Sequence, residues 1–192
     1  MSESRDPIDA LAAIERASPE PVRSEFLGGV PIVTPPADWE HNQIIGAVYM
    51  QFRAAGRGRA GFGTGFRVGA PEARTRALVI PDLHVLHREP TDLDRAYRRA
   101  HGGWYAADLL ALAGEVTSSN HETDTGPKYR TYAAAGVPVY LLVHRARGFA
   151  YAFSEPVPEE KRYEVSVEVK LGEPLPLPAP YPVLDTSAFP VS

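Results

Sequence analysis

Two apolar segments of this chain each present one acidic residue from hydrophobic surroundings: Asp82 in ALVIPDLHVL (77–86) and Glu115 in LLALAGEVTSS (109–119). A carboxylate is costly to desolvate unless something cationic meets it. Two of them in strand-like runs therefore constrain the fold more than any other feature. The strands must lie where a hard divalent metal or a buried ion pair compensates the charge. Lys128 follows shortly after, at the start of a helix-like segment. Metal-binding carboxylates with one lysine are the working parts of a metal-dependent phosphodiesterase. The same residues also suit a structural role, with Asp82 satisfying backbone donors at a kink after Pro81 and Glu115 bridged to Lys128. Spacing alone leaves both readings open.

Alternation along a strand gives the first reading its geometry. Asp82 and His84 share one face and Leu83 and Val85 the other, while Glu115 and Thr117 lie opposite Val116. If the two strands pair, one face carries two carboxylates within reach of a shared cation. Mg²⁺ suits such a site, because it takes one or two carboxylates, keeps several waters and bridges substrate phosphates; the carbonyl of Val116 is a further candidate oxygen. Lys128 would orient the attacking water or neutralise charge on the phosphoryl group. Thr125 or Gly126 as a cap, with Pro127 in the first turn, would place backbone N–H groups beside it.

The 192 residues suit one domain with a real core. Hydrophobic residues make up 44% and charged residues 23%, a soluble globular composition. No apolar run approaches the roughly 18 residues of a membrane span. The opening MSESRDPIDALAAIERASPE lacks a basic n-region and an apolar h-region, so the expected compartment is the cytoplasm. Zero cysteines exclude disulfides, thiolate zinc sites and cysteine nucleophiles. A net charge of −4 does not announce a nucleic-acid binder, although Arg53, Arg57, Arg59, Arg67, Arg74 and Arg76 face only Glu72 between 51 and 76. Only three of the twenty cationic residues are lysines, Lys128, Lys161 and Lys170. In a chain that prefers arginine, a lysine marks a place where a compact, deprotonatable charge is wanted.

Local signals predict the elements. Residues 6–17 read as a short helix, 22–33 as a hairpin around Gly28 and Gly29, and 40–55 as a helix capped by Asp38, with Ile44, Ile45, Val48, Met50 and Phe52 on its apolar side. GFGTGFRVGA (61–70) is a glycine-rich strand or turn, since it lacks the Gly-Lys-Ser/Thr ending of a phosphate loop. Residues 88–103 read as a polar connection, and 127–135 as a helix ended by Gly136 and Pro138. Segments 137–143 and 149–153 form a hairpin, 162–171 a strand, and 171–183 a proline-rich tail. The expected fold class is an α/β (α+β) core: a mixed central sheet flanked by helices, with additional β-hairpins.

In order along the chain stand P-D-L (81–83), E-V-x-S (115–118), D-x-x-x-K-x-x-x-Y (124–132) and G-V-P-x-Y (136–140). Upstream lie Glu25-Phe-Leu-Gly-Gly and His41, the histidine opening a helix. Over roughly residues 22–155 this series resembles the Uma family of restriction-type endonucleases, within the PD-(D/E)XK nuclease superfamily. The resemblance implies a restriction-endonuclease-like fold, Asp82 and Glu115 as metal ligands for Mg²⁺ or Mn²⁺, and Lys128 as the catalytic lysine. The superfamily lysine usually follows the glutamate by two residues. That place holds Thr117, and the resemblance puts the lysine on the following helix. Gly28 replaces the aspartate of the upstream turn, and His144 stands where the family often has an acidic residue.

Other patterns carry less. The literal E-x-K at Glu168-Val169-Lys170 lies in an alternating, half-exposed strand and reads as a solvated face. His84 and His87, three apart on a strand, face opposite ways and cannot share one zinc. His101, His121 and His144 read as surface or turn histidines. No G-x-S-x-G elbow occurs, which disfavours a serine hydrolase. The leading expectation is a Mg²⁺-dependent endonuclease with DNA as substrate, no membrane partner, and a homodimer to cut both strands. The alternatives are a non-catalytic binding or assembly module of the same fold, and a metal-dependent hydrolase of small phosphate compounds.

Overall fold

The apolar run 77–86 does not form one strand. In the computed structural model, which describes residues 6–190 apart from 21, 35, 71 and 118–120, it breaks at Ile80-Pro81-Asp82, and its two halves enter different sheets. Pro81 explains the break, since it has no N–H to give to a ladder. In chain order the elements are α1 (Pro7–Ala17), β1 (Arg23–Leu27), β2 (Val30–Thr34), α2 (Trp39–Ala54), β3 (Ala60–Gly61), β4 (Phe66–Val68), β5 (Ala77–Val79), β6 (Leu83–Leu86), α3 (Asp92–Ala100) and β7 (Tyr105–Ala106). They continue with β8 (Leu110–Val116), α4 (His121–Thr123), a π turn (Asp124–Lys128), α5 (Tyr129–Ala134), β9 (Val139–His144), β10 (Phe149–Val157) and β11 (Arg162–Lys170). The architecture is mixed α+β with two mixed sheets, where the sequence suggested one.

The elements group into two compact units. The first contains the five-stranded sheet, ordered β2-β1-β5-β4-β7. Its β1–β2 hairpin turns at Gly28 and Gly29, whose φ angles of 60° and 90° are the conformation a two-residue turn requires. Leu11 of α1 packs with Leu78 and Trp104 in this unit's core. Gly65 passes so close to Trp104 that a Cβ there would lie 2.6 Å from the ring. The stretch expected as a plain connection holds α3, which starts with a capping box between Thr91 and Asp94 and buries no residue.

The second unit contains the six-stranded sheet, ordered β11-β10-β9-β8-β6-β3. Its two inner strands, β8 and β9, pair in parallel with Leu112 opposite Val139. Nearly every residue of both is buried, as expected of strands covered on two faces. One face takes α2, capped by Asp38 through the His41 N–H at 2.7 Å. Ile44, Val48 and Phe52, spaced four apart, pack there with Leu83, Val85, Leu112, Leu141 and Val143. Each such side chain contributes roughly 1.5–3 kcal/mol of burial. Met50, expected on this face, is 65% exposed. On the other side α5 and the π turn bring Tyr129 and Tyr132 against Tyr140, Phe153 and Tyr163, with ring centroids 5.0–6.2 Å apart in contacts such as Tyr129–Phe153 and Tyr129–Tyr140. No helix among the described residues is long and apolar enough to cross a membrane.

Candidate active site

Strands β6 and β8 pair antiparallel, with Leu83 opposite Gly114 and His84 opposite Ala113. Continuing that register brings Asp82, just before β6, alongside Glu115, near the end of β8. The strand pairing that the sequence reading required is therefore present. Asp82 is 8% exposed, and its Oδ2 accepts from the Val116 N–H and lies against His41 Nε2, both at 3.0 Å. What Val116 offers Asp82 is thus its N–H. Glu115 is 1% exposed; Lys128 Nζ donates to its Oε2 at 2.9 Å and the Tyr132 hydroxyl to its Oε1 at 2.6 Å. Asp124 Oδ1 lies 3.7 Å from the same ammonium.

Each donor is placed by its element. His41 sits in the first turn of α2, where the Asp38 cap fixes the entry of the helix. Asp38 is held in turn by a two-pronged contact from Arg145 NH1 at 2.8 and 3.0 Å. That hydrogen bond keeps the Asp38 carboxyl below its usual range. Burial works against a proton on His41, yet the hydrogen bond and charge of Asp82 outweigh it and raise the imidazole above its ordinary value. Thr117 accepts the Arg145 N–H at 3.0 Å and so ties the end of β8 to the turn after β9.

Lys128 reaches Glu115 by a route the sequence did not suggest. The helical segment begins at His121, and Pro127 lies inside the π turn. Lys128 is therefore within a helical stretch, 4% exposed, and not at a helix N-terminus. Neither Thr125 nor Gly126 caps this segment, and the proposed set of first-turn N–H groups does not exist there. Lys128 and Tyr132, four apart, share the helix face that meets β8. The Tyr140 hydroxyl donates to the Asp124 carbonyl at 2.8 Å and anchors the turn from the sheet.

Other sequence candidates separate from this cluster. Glu25 on β1 accepts the Ile80 N–H at 2.6 Å in the first unit. Gly28 serves the hairpin turn, and Ser118 of the E-V-x-S series lies outside the described residues. Glu168 and Lys170 are exposed on the edge strand β11, in keeping with a solvated face. His84 is buried and faces Gly61, where a Cβ would lie 2.9 Å from its Nε2; burial lowers its pKa to about 4. His87 is exposed, so the pair holds no common ion. His144, expected at the surface, is 2% exposed at the end of β9 because that strand is covered on both faces. Arg67 leaves the expected basic stretch altogether: it is 3% exposed, bonded to Thr75 Oγ1 at 2.9 Å, the Tyr97 hydroxyl at 2.7 Å and the Ala70 and Ala73 carbonyls.

Sequence reasoning did not assign a role to Tyr132. Its spacing from Lys128 was the available signal. His41 entered only through the family resemblance, and nothing in the residues themselves linked it to Asp82.

Among the described residues no three His, Asp or Glu side chains converge as a ready-made metal cage. The donor chemistry instead offers two carboxylates with hard oxygens. That set fits Mg²⁺ or Mn²⁺, which complete their shells with water and substrate oxygen, and does not fit a structural zinc site.

A family model described as "Putative restriction endonuclease", Uma2, matches residues 9–188. A solved structure described as a "putative nuclease belonging to DUF820" from Anabaena variabilis ATCC 29413 superposes with a TM-score of 0.58 at 14% identity, covering 90% of this chain and 89% of the other. At that identity the likeness concerns the fold. No curated protein matches the chain.

Proposed function

The chain belongs to the Uma2 family of nuclease-type proteins, and from that premise we propose that it is a Mg²⁺-dependent endonuclease of the PD-(D/E)XK superfamily that hydrolyses DNA phosphodiester bonds. The observation that carries the reading is the buried cluster in which Asp82 and Glu115 end neighbouring strands and Lys128 meets Glu115 at 2.9 Å.

Asp82 and Glu115 would hold the cation, with Mn²⁺ as an equivalent. When bound, the metal supplies a lowered pKa for its water and charge neutralisation at the phosphoryl oxygens. Lys128 brings a point charge that can orient the attacking water or balance charge on the phosphate. His41 fixes the Asp82 carboxylate through Nε2, and Tyr132 fixes that of Glu115 through its hydroxyl. Cutting both strands is simplest with a two-fold dimer, which remains part of the proposal.

The test is supercoiled-plasmid cleavage with Mg²⁺ or Mn²⁺, comparing wild type with Asp82→Ala and Glu115→Gln. Loss of cleavage on the order of a thousandfold, in variants that circular dichroism shows to be folded at the assay temperature, is the expected outcome. Metal-dependent cleavage that survives Asp82→Ala in a clean preparation would sink the assignment. A second reading, a non-catalytic module of the same fold, is favoured by the buried Lys128–Glu115 ion pair, which already compensates the carboxylate. Calorimetric titration with Mn²⁺ separates the two, because a module need not bind the ion through Asp82.

A further inference from the structure

The six-stranded unit has a concave cleft at the end of its sheet away from the carboxylate cluster. A cleft of about 830 Å³ opens beside Leu86 and His87 at the end of β6 and Ala111 at the start of β8. From Ala111 to Glu115 is four residues of strand, about 13 Å at strand rise. The cleft is therefore separate from the carboxylate cluster. Its volume is within the range of small-molecule sites.

Its polar lining includes Arg57, Arg59, His87, Glu89, Glu155 and Tyr181. The two arginines stand on a firmly tied loop: Arg57 N–H donates to Phe52 O at 2.8 Å, Ala60 N–H to Arg57 O at 3.1 Å, and Leu86 N–H to Arg59 O at 3.2 Å. Tyr181 packs its ring on Phe52, centroids 5.7 Å apart. Burial pushes its phenol up to about 12, with the charges of Arg57 and Arg59 pulling the other way, and all three residues line the same cleft. Glu155 has a φ of 59° although it is neither glycine nor asparagine. Such backbone costs about 1–3 kcal/mol and concentrates at ligand sites.

We propose that this cleft binds a nucleoside monophosphate, with its phosphate on Arg57 and Arg59, its base against Tyr181, and an exocyclic amino group of the base donating to the carboxylate of Glu155 or Glu89. Each part follows from chemistry. Paired guanidiniums match a phosphate in geometry and charge. An aromatic ring beside them is a stacking surface. A carboxylate accepts from an amino group such as that of cytosine. A bare anion would gain nothing from the ring face of Tyr181 and would be repelled by two glutamates.

Isothermal titration of the full chain with CMP, AMP, UMP, ribose 5-phosphate and inorganic phosphate tests this. The expected result is binding of CMP or AMP at least about ten times tighter than of phosphate or ribose phosphate. Arg57→Gln with Arg59→Gln should weaken it at least tenfold, and Tyr181→Leu roughly 5- to 100-fold. Asp82→Ala should leave it intact, so that failure here and failure of the nuclease reading are told apart. Circular dichroism and the thermal midpoint confirm folding of each variant. No nucleotide binding at millimolar concentration, equal binding of phosphate alone, or retention in the double arginine variant would overturn the proposal. Loss of binding in Asp82→Ala would do the same, because it would place the nucleotide at the carboxylates. Equal binding of UMP would remove the role given to Glu155 and Glu89. A 5′-phosphorylated dinucleotide that binds as well as CMP would identify the ligand's source as a strand end; one that is excluded would identify it as the free nucleotide.

Discussion

Arg67 in the five-stranded unit and Glu115 in the six-stranded unit are both buried charges, yet they are satisfied by different kinds of partner. Arg67 is met by two hydroxyls and two backbone carbonyls, groups fixed by the fold. Glu115 is met by an ammonium and a phenol, and the ammonium is a charge that a metal cation can replace. A charge held by carbonyls is part of the architecture, since nothing can replace the backbone. A charge held by an opposite charge is exchangeable, because another cation can take the ammonium's place. That difference is the physical ground on which the proposed site lies in the six-stranded unit.

The comparison can be broken most directly at Lys128. Lys128→Met should reduce metal-dependent cleavage on the order of a thousandfold in a plasmid assay. A variant with near-normal cleavage would make Lys128 as architectural as Arg67. Arg67→Met comes next: it strands carbonyls and hydroxyls in the interior and should cost about 3 kcal/mol in urea unfolding. A loss under about 1 kcal/mol would show that water replaces the guanidinium.

His84 sharpens the contrast through pH. Its folded pKa of about 4 lies below the unfolded value of 6.5, so between them the unfolded chain carries the extra proton. Its share of stability is complete above the unfolded value and is lost as pH falls toward the folded one. Between about pH 7.5 and about pH 5 that amounts to about 2 kcal/mol, and His84→Gln should flatten the dependence by that much. Equal slopes in variant and wild type would assign the acid sensitivity elsewhere.

The smallest effect is expected from Glu115→Gln combined with Lys128→Met, which removes both charges together. Stability should change by less than about 1 kcal/mol, although breaking the pair by Lys128→Met alone should cost about 3–5 kcal/mol without metal. Added Mn²⁺ should recover stability in that single variant. Recovery measured as an upward shift in thermal midpoint would confirm exchangeability, and none would refute it.

Much of this was legible in the residues. The Asp38 cap and the spacing of Ile44, Val48 and Phe52 define α2 without further help, and Gly28-Gly29 defines its hairpin. The two carboxylates were found because charged residues in apolar strands stand out. Pro81 signalled a kink in the run 77–86, but the entry of its halves into two different sheets was not legible, because strand partners are set by contacts remote in sequence. Helix α3 escaped because it is strongly polar and buries no residue, so it shows no apolar face; the Thr91 and Asp94 capping pair was the signal available. The contact between Lys128 and Tyr132 and Glu115 depends on the π turn, and nothing in DTGPK distinguishes a wide turn from a helix start.

That turn has a consequence for how a lysine can migrate between elements. On a strand, an acid and a lysine two residues apart stay on one face through simple parity, and no other part of the chain is needed. On a helix the same meeting depends on angular phase. The segment from His121 to Ala134 is therefore a dial: deleting one residue from Asp124–Lys128 would swing everything beyond it by about 100° and carry Tyr132 away from Glu115. Insertions in the connecting loops can be absorbed, whereas here even a single residue resets the alignment.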